Sequence, residues 1–275
     1  MPNGNSLRTA LSQHCVNETV DKNDFQRRAR LLQALWREER NLPIGQVSKR
    51  NLRCIGSSVA MPYAQEKLAN YLTETIREVV RAEVLDPVKR AGKVYTKPRI
   101  FDNLLSSQPL CFNLFGELQR DLPLASAVLG ALTDGRLTRV TAIEFEHSPG
   151  RGDPRFTGDR SAFDVFVEFE GPRGRGFLGI EVKYHENLKG GTSKDNDRYH
   201  EIADAMGAFD PTRRGRLLGE PLQQIWRDHL LAGSLRLDRP SGYDDGAFLF
   251  LYPAQNLACA DAIGEYAACL TNKDS

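Results

Sequence analysis

The spacing of apolar positions changes from helical to alternating at Thr138, and that change divides the sequence. From Asp24, the residues Phe25, Leu31, Leu32, Leu35 and Trp36 recur at helical spacing until Asn41-Leu42-Pro43 ends the run. A longer helical pattern covers residues 62–84 (Leu68, Tyr71, Leu72, Ile76, Val79, Val80), followed by a connector marked by Pro87, Gly92 and Pro98. A second helical stretch, about 109–132, is interrupted near Pro123. The first half therefore reads as mainly helical. At Thr138 the period becomes two, and residues 139–147, 161–170 and 177–185 read as strands. A polar excursion at 186–218, expected to be long and partly mobile, precedes a helix at about 220–232, a buried strand at 247–252 and a closing helix at about 257–270. Residues 1–21 are polar and Asn/Ser-rich and read as a loosely held arm. The expected organisation is a flexible arm (1–21), a helical region (22–99) and an α/β core (100–275).

Alternation in the second and third strands sorts their side chains. Phe163, Val165, Val167 and Phe169 share one face, with Asp164, Phe166 and Glu168 on the other. Leu178, Ile180, Val182 and Tyr184 share one face of the third strand, opposite Glu181, Lys183 and His185. The turn-forming linker Gly171-Pro172-Arg173-Gly174-Arg175-Gly176 predicts an antiparallel hairpin. Symmetric pairing about it gives partners whose numbers sum to 170 + 177 = 347, placing Asp164 opposite Lys183 and diagonal to Glu181. A slip of one residue would set each apolar row beside charges, so the hydrophobic pattern itself gathers the three residues into one patch. Two carboxylates at diagonal cross-strand positions, with Cβ atoms roughly 7 Å apart, can converge on one hard cation. Magnesium suits such a pair. A lysine beside them can orient and help deprotonate an attacking water, or neutralise charge developing on a phosphate. The competing reading is a salt bridge on a solvated strand face; Gly179 and Ala162, at the edges of the patch, are small enough to leave room for a substrate.

Composition narrows the choice less than pattern does. A chain of 275 residues with 40% hydrophobic and 27% charged residues is an ordinary globular protein, which excludes collagen, coiled coil and wholesale disorder. Since 37 Lys+Arg face 36 Asp+Glu, a nucleic acid would have to be met by local basic surface. The row Arg27, Arg28, Arg30, Arg37 and Arg40, with Lys49, Arg50 and Arg53 nearby, is the candidate surface, and a solvated packing helix is the alternative. The apolar run at 247–252 is too short for a membrane helix and residues 1–13 lack an apolar signal core, so a soluble, cytoplasmic protein is expected. Five scattered cysteines without a C-x-x-C pair read as buried free thiols, and the five histidines have no zinc-site spacing.

Phe163-Asp164, sixteen residues, then Glu181-Val182-Lys183 resembles the D…(D/E)-x-K signature of the PD-(D/E)XK nuclease superfamily. Residues 103–115, 156–164 (FTGDRSAFD) and 181–184 (EVKY) further resemble blocks of a bacterial family described as restriction endonucleases, over a span from about Asp24 to the C-terminus. Phe163 stands where some members carry proline. The resemblance implies a restriction-endonuclease-like core with α-β-β-β-α-β order, a mixed central sheet flanked by helices and a helical N-terminal region. It implies Mg²⁺-dependent hydrolysis of DNA in bacterial defence, with Mn²⁺ as a substitute metal. Asp164, Glu181 and the Val182 carbonyl would hold the metal and Lys183 would position water. Many members add an acid from the first core helix, for which Glu117 is the candidate, with Glu144 and Glu146 competing; many place a glutamine on the helix after the third strand, for which Gln224 or Gln223 is the candidate. Arg27 and Arg28 would meet the DNA. The resemblance leaves room for a homodimer and for a partner methyltransferase or defence-system protein. Two other functions remain open: a catalytically silent nucleic-acid-binding or assembly module with the same fold, and a repair or RNA-directed nuclease.

Overall fold

The computed structural model describes residues 4–48 and 50–271; Lys49, next to the arginine row, lies outside them. The chain divides into two compact units, residues 1–116 and 117–275. The division falls inside a helix and not at the Pro98 connector.

The first unit begins with α1 (Gly4–Gln13) and α2 (Asp24–Glu39), then a hairpin of β1 (Ile44–Ser48) and β2 (Asn51–Val59). Short helices α3 (Tyr63–Lys67), α4 (Glu74–Val80) and α5 (Arg99–Asp102) follow, and α6 (Ser107–Arg120) crosses the unit boundary. Three expectations are corrected here. The N-terminal segment is not a loose arm, because Leu7, Leu11 and Val16 pack on Leu31 and Ala34 of α2. The helical pattern at 62–84 is broken: Leu68 takes a left-handed conformation (φ 49°) that ends α3, and Thr73 caps a new helix by accepting the Ile76 N–H. The hairpin β1–β2 was not expected, since Gly45, Gln46 and Ser48 interrupt any alternation and its pairing contains register shifts.

The arginine row of α2 is likewise not one surface. Arg30 is buried, its Nε and Nη2 donating to the Asp21 carboxylate at 2.6 and 2.8 Å and its Nη1 to Ser57 Oγ. Arg37 is buried on the carbonyls of Gly56 and Leu42. Arg27 pairs with Asp24 and Arg40 with Glu39, while Arg28 is exposed. Arg30→Ala would leave the Asp21 carboxylate buried without its cation. A loss of about 3–5 kcal/mol is expected for breaking such a pair, measurable by urea unfolding.

The second unit contains the end of α6, then α7 (Leu122–Leu132), β3 (Arg139–His147), β4 (Phe163–Gly171), β5 (Gly174–Val182), α8 (Asp197–Met206), α9 (Gln223–Leu237), β6 (Asp245–Leu251) and α10 (Leu257–Ala267). The strands form one sheet in the order β3-β4-β5-β6, antiparallel except for the last pair. The α-β-β-β-α-β order is the expected one. α7 packs on β3 and α9 on β5 and β6. The region 186–218 is more ordered than expected: α8 lies within it, and its Tyr199, Ile202 and Ala203 are buried with Trp226 of α9. α9 is buried most of the way round its axis, as in a helix enclosed on several sides.

Candidate active site

β4 and β5 place the chemistry. Their turn is tighter than the linker composition suggested: Gly171 pairs with Gly174 across Pro172-Arg173, so partner numbers sum to 345. The register differs from the expected one by two residues. From Val165 on, side-chain faces are unchanged because their period is two, whereas Phe163 leaves the expected Val165–Val167–Phe169 face and packs with Phe166 and Phe177. The pairing continued one residue beyond Val165–Ile180 sets Asp164 across from Glu181, not Lys183. The Val182 N–H donates to Asp164 Oδ2 at 2.9 Å. Since N–H and C=O of one residue in an extended strand point the same way, the Val182 carbonyl is aimed toward the β4 side.

β5 is an interior strand, buried on both faces from Gly176 to Val182. Glu181 and Lys183 are only 5% and 7% exposed, which removes the solvated salt-bridge reading. Lys183 Nζ donates to Glu181 Oε1 at 2.6 Å, and Gln224 Nε2, from the first turn of α9, donates to the same oxygen at 2.7 Å. Gln224 is exposed, so it lies at the rim of a site whose floor is Glu181 and Lys183. Gln223, its neighbour, is buried and turned away: its amide exchanges two hydrogen bonds with the Ser193 backbone.

The other expected site residues are less engaged. Glu117 is half-buried on α6. Glu144 meets His147, while Glu146, whose charge reaches Asp164, is held by Arg151 at 2.6 Å. Among the described residues no three Asp, Glu, His or Cys side chains converge to hold a metal directly, so Glu117 is not gathered with Asp164 and Glu181 as a third ligand. The space expected over Gly179 is filled: a Cβ there would lie 2.4 Å from the Phe163 ring, which packs with Phe166 and Phe177 on that face.

Two residues of the site were missed by sequence reasoning. Asp228 follows Gln224 by one helical turn, is 6% exposed, and has an Oδ2 that is buried without a hydrogen-bond partner. Its charged neighbours are Glu181, Lys183, Arg227 and Asp164. A lone acid on the helix between Trp226 and Leu230 was the available signal. Asp159, five residues before Asp164, accepts hydrogen bonds from Thr157, Ser161, Tyr199 and Arg227, tying the loop before β4 to α8 and α9.

Charge at the site is unbalanced. Burial, then the Glu181 charge, holds the Asp164 carboxyl well above the usual carboxylate range, against the pull of Lys183 and the Val182 N–H. Burial and Glu181 raise Asp228 in the same way. Burial alone would lower Lys183, but Glu181 and Asp164 outweigh it and hold the ammonium above its ordinary value. Three carboxyl groups thus face one ammonium, an excess of two negative charges when all are ionised. Asp164 and Glu181 have one oxygen each tied by protein donors and are oxygen ligands of the kind a hard divalent cation takes. The donor set fits Mg²⁺ or Mn²⁺.

Asp159 behaves oppositely. Burial would raise it, but hydrogen bonds from Tyr199, Ser161 and Thr157 and the Arg227 charge bring its carboxyl down to about 2. A carboxylate whose folded value lies below its unfolded one stabilises the fold above the unfolded value and loses that contribution as pH falls toward the folded one. Acid unfolding of the wild type should therefore steepen between about pH 4 and pH 2, and Asp159→Asn should flatten that interval. Identical acid profiles would remove the clamp from the stability account.

A family model described as the PD-(D/E)XK nuclease superfamily matches residues 19–275. No curated protein and no solved structure matches the chain significantly.

Proposed function

Since the chain belongs to the PD-(D/E)XK nuclease superfamily, we propose that it is a Mg²⁺-dependent endonuclease hydrolysing DNA phosphodiester bonds, acting in restriction or phage defence. The observation that carries this reading is the convergence of Asp164, Glu181 and Lys183, with Gln224, at the ends of β4, β5 and α9. A buried Lys–Glu pair contributes little to stability; its placement beside a second enclosed carboxylate favours a catalytic use.

In this reading Asp164 and Glu181 hold the cation, with the Val182 carbonyl as a further ligand. The bound cation supplies Lewis-acid polarisation of the phosphate and charge for its transition state. Lys183, held as an ammonium, orients the attacking water and offsets negative charge on the phosphate. Gln224 and Lys183 both donate to Glu181 Oε1, which fixes the carboxylate and leaves its second oxygen to ligate.

Among the described residues no helix is long and apolar enough to cross a membrane. A cytoplasmic location goes with this reading, as does a homodimer or a partner methyltransferase or other defence-system protein. Arg27 and Arg28 are the residues of α2 left to meet DNA once Arg30 and Arg37 are assigned to packing. Reversing both charges is expected to weaken DNA binding and to reduce the slope of log K against log salt by about one for each phosphate no longer neutralised. An unchanged slope would leave that helix face to solvent.

The deciding experiment is plasmid nicking with Mg²⁺ and with EDTA, on modified and unmodified DNA, alongside single-stranded, branched and RNA substrates. Metal-dependent cleavage of duplex DNA supports the proposal. Binding without cleavage would make the chain a silent module, and cleavage confined to RNA or branched DNA would move it to another role.

A further inference from the structure

Asp228 presents a problem that the three motif residues do not solve. Buried polar atoms are almost always hydrogen-bonded, and an enclosed carboxylate oxygen without a donor is costly. Asp228 Oδ2 is such an atom. The residue lies on the turn of α9 that follows Gln224, whose side chain reaches Glu181, so it is directed toward the same pocket. Ile225 and Leu231, three residues to either side of it on the helix, are both buried.

A direct metal bond is not what the arrangement offers, because among the described residues no third acidic side chain joins Asp164 and Glu181 in a metal-binding group. A small donor arriving with something that the protein binds would complete the missing hydrogen bond. Water held by a cation meets both conditions, since its O–H groups are strong donors and carboxylates beyond the ligands accept from them.

We propose that Asp228 is the outer acid of the cation site, accepting a hydrogen bond from a water on the metal that Asp164 and Glu181 hold. The proposal rests on the nuclease reading of that site. Its role is positioning: Asp228 fixes the hydrated cation against the α9 side while Gln224, one turn earlier, fixes the Glu181 ligand. α9 thus contributes two residues to the site at i and i+4, one acting on a ligand and one on the metal's water shell.

The test uses the full chain as wild type, Asp228→Asn, Asp228→Ser and Asp164→Asn, with Mn²⁺ binding followed by the electron paramagnetic resonance of the free ion and folding by circular dichroism. Loss of an outer carboxylate is expected to weaken Mn²⁺ binding on the order of 10- to 100-fold in both Asp228 variants. A second measurement needs no variant: in wild-type protein, the Asp228 carboxyl ¹³C resonance should move on Mg²⁺ titration with the same midpoint as those of Asp164 and Glu181. Asp228 variants that bind Mn²⁺ as tightly as wild type, with Asp164→Asn impaired, would overturn this inference alone. An Asp228 resonance that stays still while the other two move would do the same. Wild-type protein with no Asp164-dependent Mn²⁺ binding would overturn the nuclease reading together with it.

Discussion

Asp164→Ala and Glu181→Ala are each expected to abolish Mg²⁺-dependent cleavage, with plasmid nicking reduced by at least about 10³, equivalent to roughly 4 kcal/mol of barrier. Each carboxylate has one oxygen committed to the protein, Asp164 to the Val182 N–H and Glu181 to Lys183 and Gln224. The neighbouring acids are otherwise placed: Glu146 is held by Arg151, and among the described residues Asp228 forms no three-acid metal-binding group with Asp164 and Glu181. The two substitutions differ in what they do to folding. Removing Asp164 relieves an enclosed acid beside another acid, whereas removing Glu181 leaves the Lys183 ammonium buried without its partner, a cost of about 3–5 kcal/mol. Asp164→Ala is therefore the cleaner test, and Glu181→Gln should accompany Glu181→Ala. Undiminished cleavage by folded Asp164→Ala protein would remove the site assignment.

Lys183→Ala tests a different element of the chemistry. Both carboxylates remain, so cation and duplex should still bind, and with Ca²⁺ in place of Mg²⁺ the DNA affinity should change little. The attacking water loses its orienting ammonium and the phosphate loses a compensating charge. Removal of one preorganised electrostatic group typically lowers a rate by about 10²–10³, and the single-turnover cleavage rate should fall by that factor. Burial adds to the effect, because an ammonium 7% exposed acts in a medium that screens it weakly. Lost DNA affinity at an unchanged single-turnover rate would make Lys183 a phosphate-binding residue instead.

Period-two alternation made most of the site legible. Alternation assigns Phe166, Glu168 and Asp164 to one face of β4 and Glu181 and Lys183 to the matching face of β5; the structure keeps that sorting from Val165 to Phe169, while Phe163 departs from it and joins Phe166 and Phe177. Composition could not reveal how far the ladder runs into the turn. A six-residue linker with three glycines and a proline admits several loop lengths, and the chain closes at Pro172-Arg173, which changes the residue facing Asp164 without changing the face. The burial of Glu181 and Lys183 was hidden for another reason. Charges on alternate positions resemble a solvated strand face, yet β6 pairs in parallel along β5 and α9 covers it, and both elements come more than forty residues later. Asp159 lies in a segment with no period to read, and Asp228 in a helix whose pattern says only that it is buried. The β1–β2 hairpin shows the same limit, since Gly45, Gln46 and Ser48 give no alternation. In α2, periodicity located the helix well, but it could not separate Arg30 and Arg37, which hold the first unit together, from Arg28 on its outside.

With a cation seated among the excess carboxyl groups at the ends of β4, β5 and α9, folding and cation supply would be one equilibrium. A ligand that binds only the native chain raises its stability by RT ln(1 + [L]/Kd), about 2.7 kcal/mol when the ion stands a hundredfold above its dissociation constant. A cation seated there would relieve mutual repulsion among groups that the folded chain has already enclosed. The population of folded enzyme would then rise and fall with free divalent ion before any DNA is met, so that chelation depletes the catalyst as well as stopping its reaction.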